Sequence, residues 1–184
     1  MKKIAITGHS DGIGLCLYNH YIRVGYHVEG FSRKNGYDIT KEEDRKRIID
    51  TSQDFDIFIN NAYAFDRKEN YQLLLFNNIY SVWKNRDKII VNISSTAGNW
   101  PMADNSYNNN KFALDRASLY ANSKRVPPSV INIKPSCTEV NRLKTFPGIP
   151  SKKLSTETVT SLIEYAINFK GGRITSISVH PDFD

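Results

Sequence analysis

The fold of this chain is decided by the stretch Thr7-Gly8-His9-Ser10-Asp11-Gly12-Ile13-Gly14, which follows a short apolar run at residues 3–7. A helical pattern begins at Ile13, so the glycines stand between a predicted strand and a predicted helix. Glycines at this place permit a tight turn and let the backbone approach a phosphate, while the helix N-terminus offers free N–H groups. The stretch predicts a phosphate-binding loop; the alternative is a glycine-rich turn that binds no ligand.

Short β-rich apolar runs alternate with helical patterns along the rest of the chain. Strands are predicted over residues 3–7, 26–31, 56–60, 88–93, 129–134 and 173–179. Helices are predicted over residues 13–23, 41–50, 71–83, 107–122 and 156–169, with Thr40 and Ser155 as N-caps of the second and last. This alternation predicts a parallel sheet with helices on both faces. We therefore expect one doubly wound α/β domain of the Rossmann type over residues 1–184, with about six or seven strands.

The composition indicates an ordinary soluble protein. The 184 residues suit one domain, and 40% of them are hydrophobic and 24% charged. The sequence contains no apolar run long enough to cross a bilayer, and the apolar run after Met1 is too short for a signal peptide. A cytoplasmic protein without a membrane partner is therefore expected.

The cysteines, histidines and basic residues give no sign of a metal or of nucleic acid. The two cysteines and four histidines lack the spacing of a metal site. The net charge of +6 comes from basic residues spread along the chain, and the cluster at residues 41–47 is interleaved with acids. Such a cluster is typical of a solvated helix face. We expect no metal and no nucleic acid. The phosphates of a dinucleotide would also suit the net positive charge.

The end of the second predicted strand indicates which dinucleotide binds. An acidic residue there would bind a ribose 2′-hydroxyl, whereas an arginine would accept a 2′-phosphate. Here the strand is followed by Ser32, Arg33 and Lys34, with no acid among them. A hydroxyl and a guanidinium suit a phosphate dianion. We predict NADP(H) in preference to NAD(H), although Asp11 stands in the loop where a basic residue would help NADP(H).

A candidate reactive pair lies on the helix predicted over residues 107–122. Tyr107 and Lys111 are four residues apart and therefore share a helix face. An ammonium beside a phenol favours the phenolate, so we expect Lys111 to lower the pKa of Tyr107. Ser94 and Ser95 end a buried strand shortly before, and a serine hydroxyl there could bind a substrate carbonyl.

The motifs resemble those of the short-chain dehydrogenase/reductase family and occur in the same order. The resemblance extends from the first strand to about Val140. The glycine loop resembles its cofactor fingerprint, and Tyr107 and Lys111 match its reactive pair. Three shorter motifs of the family also have counterparts: its acidic–aliphatic pair at the adenine, its Asn-Asn-Ala-Gly strand end and its serine motif. They correspond to Asp38-Ile39, Asn60-Asn61-Ala62 and Asn92-Ile93-Ser94-Ser95.

The resemblance implies roles for four catalytic residues. Tyr107 would give or take the hydroxyl proton, and Lys111 would bind the nicotinamide ribose and lower the Tyr107 pKa. Ser95 would orient the carbonyl; Ser94 stands at the family's usual distance before Tyr107, so the choice between the two serines stays open. A supporting asparagine is assigned to Asn70, with two alternatives, Asn77 and Asn78.

The resemblance also implies the cofactor contacts. We assign them to Thr7, Gly8, Ser10, Asp11, Gly12, Ile13, Gly14, Ser32, Arg33, Asp38, Ile39, Asn60, Asn61, Ala62, Tyr107, Lys111, Pro135 and Thr138.

Several positions depart from the family's pattern. The glycine after Asn-Asn-Ala is Tyr63 here, the glycine after Pro135 is Ser136, and Val140 stands where a threonine is common. Tyr63 is expected to alter the approach of the backbone to the cofactor. The irregular segment near residues 141–153 is the predicted substrate loop.

The function implied is hydride transfer between NADP(H) and a small carbonyl or alcohol substrate. The family also predicts a homodimer or homotetramer. The alternatives are a non-catalytic NADP(H)-binding sensor or regulatory protein, which the changes at Tyr63 and Ser136 favour, and another chemistry on the same scaffold, such as epimerisation or dehydration.

Overall fold

The computed structural model describes residues 1–65, 69–101, 105–139 and 152–182. Strands and helices alternate along these ranges. The strands are β1 (Lys3–Thr7), β2 (His27–Phe31), β3 (Ile57–Asn60), β4 (Ile89–Ile93), β5 (Ser129–Pro135) and β6 (Ser176–Val179). The helices are α1 (Gly12–Arg23), α2 (Glu42–Ser52), α3 (Tyr71–Trp83), α4 (Ser106–Ser123) and α5 (Thr156–Asn168). Each lies where the sequence pattern predicted it, within a few residues.

Side-chain caps begin most of these helices. Asp11, Asn70, Asn105 and Ser155 each accept a backbone N–H at the start of a helix. The predicted cap at Ser155 is therefore confirmed. The predicted cap at Thr40 is wrong: α2 starts one residue later, with Lys41 at the cap position and no side-chain cap.

The six strands form one parallel sheet in the order β2-β1-β3-β4-β5-β6. Alternate strand residues face opposite sides: Ile4 and Ile6 pack with α1 and α5, whereas Ala5 and Phe58 pack with α2, α3 and α4. Because both faces are covered, the central strands β1, β3 and β4 are almost continuously apolar. The predicted doubly wound Rossmann fold is confirmed.

The strand order reverses at β1, which lies between β2 and β3. In open α/β sheets, ligands bind at the carboxyl ends of the strands beside such a switch point. The glycine loop follows β1 directly, so the topology places the loop at this crevice.

Two other sequence predictions concern membrane-spanning segments and the substrate loop. No helix in the described ranges is long and apolar enough to cross a membrane. Most of the substrate loop predicted near residues 141–153 lies outside the described residues, which do not include 140–151.

Candidate active site

An open cleft of about 1560 Å³ runs along the carboxyl ends of the strands, from the glycine loop to the amino end of α4. Most of the predicted cofactor and catalytic residues line it. They are Gly8, Ser10, Asp11, Gly12, Ile13, Ser32, Arg33, Asp38, Ile39, Asn61, Ala62, Ser95, Tyr107, Lys111, Pro135 and Thr138. Four predicted residues do not line it: Thr7, Gly14, Asn60 and Asn70.

The glycine loop is tightly folded against the neighbouring strands. Gly8 has a φ of +73° and donates its N–H to Phe31 O at 2.7 Å, which joins the loop to the end of β2. A Cβ at Gly8 would come within 2.7 Å of Asn61 Nδ2, and a Cβ at Gly14 within 2.2 Å of Gly8 O. The loop therefore needs glycine at both positions.

Thr7 and Asn61 support this loop from behind. The Thr7 hydroxyl is fully buried and accepts the backbone N–H groups of Asn61 and Ala62, each at 3.0 Å. In return Asn61 Nδ2 donates to Thr7 O at 3.0 Å. These bonds join the ends of β1 and β3. The structure thus gives Thr7 a supporting position, whereas the sequence predicted a cofactor contact.

The end of β2 forms a positively charged rim. Arg33 is exposed beside the cleft, and Lys34 Nζ donates to Ser10 O at 3.3 Å. The Ser32 hydroxyl is buried and donates to Asn35 Oδ1 at 3.2 Å. Partial burial alone would raise the pKa of Asp38. Hydrogen bonds from the Thr40 N–H and hydroxyl, together with the positive charge of Arg33, outweigh burial, so the pKa is lowered. This rim suits an anionic ligand.

Tyr107 and Lys111 lie one turn apart at the start of α4, on the cleft side. The Ser95 hydroxyl lies beside the Tyr107 phenol. Burial raises the pKa of Tyr107, and the nearby Ser95 hydroxyl offsets this only in part. The pKa of Tyr107 is raised and not lowered as expected from Lys111, because burial outweighs the other effects on the phenol.

The two serines after β4 have different partners. Ser95 lies at the cleft beside Tyr107, whereas Ser94 Oγ donates to Asp115 Oδ1 at 2.5 Å. Asp115 also accepts from Asn132 Nδ2 at 2.7 Å and pairs with Lys134 at 3.0 Å. Ser94 also lines the cleft, but its hydroxyl is held in a polar cluster between α4 and β5, whereas the Ser95 hydroxyl lies beside the Tyr107 phenol.

Lys111 is buried, with 3% of its surface exposed. Its ammonium donates to Gln72 Oε1 at 2.8 Å and to Ile93 O at 2.9 Å. Burial lowers the pKa of Lys111 to about 7, although the negative charge of Asp115 opposes this shift. The charge on Lys111 is therefore sensitive to its immediate neighbours at neutral pH.

Aromatic rings surround this pair. The Lys111 ammonium lies 4.8 Å from the centre of the Tyr63 ring and 5.5 Å from that of Tyr107. Tyr63 meets Tyr107 edge-on at 5.2 Å, and its hydroxyl accepts from Asn110 Nδ2 at 2.9 Å. The Phe65 ring stacks on Tyr107 at 5.6 Å. Tyr63 thus packs directly on Tyr107 and Lys111.

The predicted supporting asparagine has another position. Asn70 caps α3, accepting from Leu73 N at 3.1 Å, and its Nδ2 donates to Asn110 O at 2.7 Å. Asn70 and Lys111 are both described, and no hydrogen bond joins their side chains; Asn77 and Asn78 are exposed on α3. The neighbour of Lys111 on this helix is Gln72, which the sequence analysis missed. The available signal was a single glutamine among the apolar and aromatic residues 71–76 at the start of this helix.

The residues present fit a nicotinamide dinucleotide. A Cβ at Gly8 or Gly14 would collide with its surroundings, so the loop brings bare backbone to the cleft beside the N-terminus of α1. Free N–H groups and a positive dipole end at such a terminus suit a pyrophosphate. Arg33 lies at one end of the cleft and Lys111 at the other. Among the described residues, no group of three metal-ligating side chains is found.

Comparison with known proteins supports the fold. No protein-family model matches the chain, and no curated protein sequence matches it. Solved structures do match. One is a 3-ketoacyl-(acyl-carrier-protein) reductase from Brucella melitensis complexed with NADH, with 19% identity and a TM-score of 0.75, covering 97% of this chain and 96% of that one.

Two further structures extend the comparison. A short chain dehydrogenase from Burkholderia cenocepacia J2315 in complex with NADP is 20% identical, with a TM-score of 0.77, and covers 100% of this chain and 90% of that one. A 3-alpha-hydroxysteroid dehydrogenase from Pseudomonas sp. B-0831 complexed with NADH is 16% identical, with a TM-score of 0.73, at 96% and 95% coverage. The chain has the fold of the short-chain dehydrogenases/reductases, which confirms that resemblance at the level of the fold.

Proposed function

We propose that this protein is a nicotinamide-dependent oxidoreductase that interconverts a small carbonyl compound and its alcohol, with NADP(H) preferred to NAD(H). The observation that carries the proposal is that Ser95, Tyr107 and Lys111 line the same cleft as the glycine loop, with Tyr107 and Lys111 one helical turn apart. Structures of this fold that contain NADH or NADP include reductases and dehydrogenases, which agrees with the proposal.

In this proposal each residue of the site has one task. Ser95 binds the carbonyl oxygen, and Tyr107 donates its phenolic proton to that oxygen in the reduction. A bound nicotinamide would supply the hydride to the carbonyl carbon. Burial raises the pKa of Tyr107, so the phenol carries the proton that the reduction requires. Lys111 holds the cofactor ribose and supplies positive charge beside the phenol.

The preference for NADP(H) rests on the rim at the end of β2. No acid occupies the positions directly after the strand, and the exposed guanidinium of Arg33 lies at the cleft. Lys34 adds a second positive charge bonded to the loop. Guanidinium groups bind phosphate through paired, charge-assisted hydrogen bonds.

The test is oxidation of NADPH across a panel of aldehydes, ketones and quinones, with NADPH binding measured separately by calorimetry. We expect wild type to turn over at least one class and Tyr107→Phe to lose turnover while still binding NADPH. Equal turnover by both proteins would show that Tyr107 has no catalytic role.

A non-catalytic NADP(H) sensor is the second candidate. The observation that favours it is the Tyr63 ring packed over Lys111, where the family has glycine. Tight NADPH binding by wild type, with no substrate of the panel consumed, would favour the sensor over the oxidoreductase.

A further inference from the structure

Gln72 is the second residue of α3 and is almost completely buried, with 1% of its surface exposed. Its side chain extends between the carboxyl ends of β3 and β4. Nε2 donates to Asn60 O at 2.8 Å and to Ile93 O at 3.0 Å, so both amide hydrogens have partners. The amide oxygen faces the Lys111 ammonium at 2.8 Å.

The partners of this amide permit only one orientation. The nitrogen of a primary amide donates two hydrogen bonds and its oxygen accepts. A backbone carbonyl can only accept, and an ammonium can only donate. If the amide were flipped, its oxygen would face the carbonyls of Asn60 and Ile93, and its NH₂ would face Lys111. Each of these contacts would be repulsive. The surroundings therefore direct Oε1 at the ammonium.

Backbone bonds hold Gln72 itself in place. Asn60 Nδ2 donates to Gln72 O at 3.0 Å and to Asn92 Oδ1 at 2.9 Å, which ties the start of α3 to both strand ends. Ile93 O accepts from Gln72 and from Lys111 together. The position of the ammonium is thus coupled to that of the glutamine through a shared acceptor.

We propose that Gln72 is a positioning residue for Lys111, holding its ammonium at the end of β4 through a neutral acceptor. Only the expected effect on turnover rests on the proposed function; the role of Gln72 in holding Lys111 does not. A buried ammonium without hydrogen-bond acceptors is strongly disfavoured relative to the neutral amine. An amide oxygen stabilises the charge without neutralising it, whereas a carboxylate at the same place would form an ion pair.

The charge of Lys111 provides a test that needs neither cofactor nor substrate. The titratable groups facing it in the described residues are Tyr107 and Asp115 on α4 and Tyr63 after β3, with Cys137 beside Tyr107. NMR of protein labelled with ¹³C-lysine, in which Lys111→Arg identifies the Lys111 signal, gives the pKa of this residue directly.

We compare Gln72→Leu, which removes the acceptor, with Gln72→Glu, which keeps the shape and adds a charge. We expect the pKa of Lys111 to fall by about one unit or more in Gln72→Leu and to rise by a similar amount in Gln72→Glu. If Gln72→Leu does not fold, as judged by circular dichroism, Gln72→Glu decides the question alone. An unchanged Lys111 titration in the folded variants would overturn the proposal.

Asn122→Leu is the matched control. The Asn122 amide bonds both backbone groups of Val130, at 2.8 and 3.3 Å, and so braces α4 against β5 without touching Lys111. We expect its Lys111 titration to equal that of wild type. A shift as large as that of Gln72→Leu would mean that any loss of a structural amide moves the ammonium, and the specific role of Gln72 would be wrong.

Turnover gives a second measurement. In Gln72→Leu we expect kcat to fall about tenfold or more with little change in KM, and the pH profile of kcat to move in the same direction as the Lys111 titration. Failure of the proposed function would appear as a lack of turnover in wild type, while the NMR titration would still decide the role of Gln72. The two failures are therefore distinguishable.

Discussion

Ser94 and Ser95 are adjacent in sequence and both line the cleft, yet the Ser94 hydroxyl donates to Asp115 at 2.5 Å while the Ser95 hydroxyl lies beside the Tyr107 phenol. The Ser94 hydroxyl is therefore engaged in the packing between α4 and the sheet, and the Ser95 hydroxyl is not. The distinction matters because spacing along the chain favoured Ser94 and position at the strand end favoured Ser95.

Alanine at each serine should separate these roles. Ser95→Ala should lower kcat/KM by about a hundredfold, as for loss of one hydrogen bond to a reacting oxygen, with little loss of stability. Ser94→Ala should instead lower the free energy of unfolding by about 1–3 kcal/mol, because the buried carboxylate of Asp115 loses a donor. Steady-state kinetics and urea unfolding measure the two effects. The reverse pattern would assign the catalytic serine to Ser94.

Arg33→Ala tests the cofactor preference. We expect the Kd for NADPH to rise about tenfold or more and that for NADH to change little, because the guanidinium would contact only the 2′-phosphate. Arg23→Ala, at the exposed end of α1, is the charge-matched control. Equal losses for both cofactors in isothermal titration calorimetry would contradict a 2′-phosphate site at Arg33.

Tyr63 is expected to restrict access to the reactive lysine. Its ring lies over the Lys111 ammonium, on which the ribose hydroxyls are expected to bind. Tyr63→Gly should therefore bind NADPH more tightly, by several-fold, whereas Tyr63→Phe keeps the ring and should bind like wild type. Fluorescence titration of NADPH measures both. Weaker binding by Tyr63→Gly would show that the ring contributes to the site.

The buried lysine should make stability depend on pH. The pKa of Lys111 is about 7 in the folded protein and near 10.4 in an unfolded chain. Between these values the unfolded chain binds the additional proton, so the contribution of Lys111 to stability rises with pH from about 7 to about 10.

Lys111→Met removes this contribution. The free energy of unfolding of wild type should therefore increase relative to that of Lys111→Met as the pH rises through this window, measured by urea unfolding at several pH values. Other titrating groups are common to both proteins and largely cancel. Parallel curves would mean that Lys111 keeps an ordinary pKa in the folded protein.

Helix α4 presents apolar side chains that suit the predicted homo-oligomer. Phe112 is 40% exposed and Leu119 is 57% exposed, and they lie seven residues apart on one helix face. Leu119→Lys should shift the protein to a smaller species in light scattering after gel filtration. Tyr165→Lys, at a similarly exposed aromatic on α5, is the control. A wild-type monomer would make the oligomer prediction wrong.

The elements of the fold were predictable because their signals are local. Apolar periodicity, the glycine stretch and the cap at Ser155 lie within short windows, and each element was found within a few residues of its predicted bounds. The predicted cap at Thr40 is wrong because the helix starts one residue later than expected, so Lys41 occupies the cap position. Tyr107 and Lys111 were also identifiable, since four-residue spacing on a helix fixes their common face.

The surroundings of these residues depended on tertiary structure. From the sequence, Thr7, Asn60 and Asn70 were cofactor or catalytic candidates, but their side chains bond neighbouring strands and helices instead. Gln72 was missed because its partners, Asn60, Ile93 and Lys111, are distant along the chain. No local pattern encodes such contacts.

The sequence thus determined the order of strands and helices, the glycine loop and the common helix face of Tyr107 and Lys111, because each follows from local sterics and periodicity. Tertiary structure decided which serine reaches Tyr107, which side chain holds Lys111 and what Tyr63 covers. It also decided the proton affinities of Tyr107 and Lys111, because burial depends on every element packed around them.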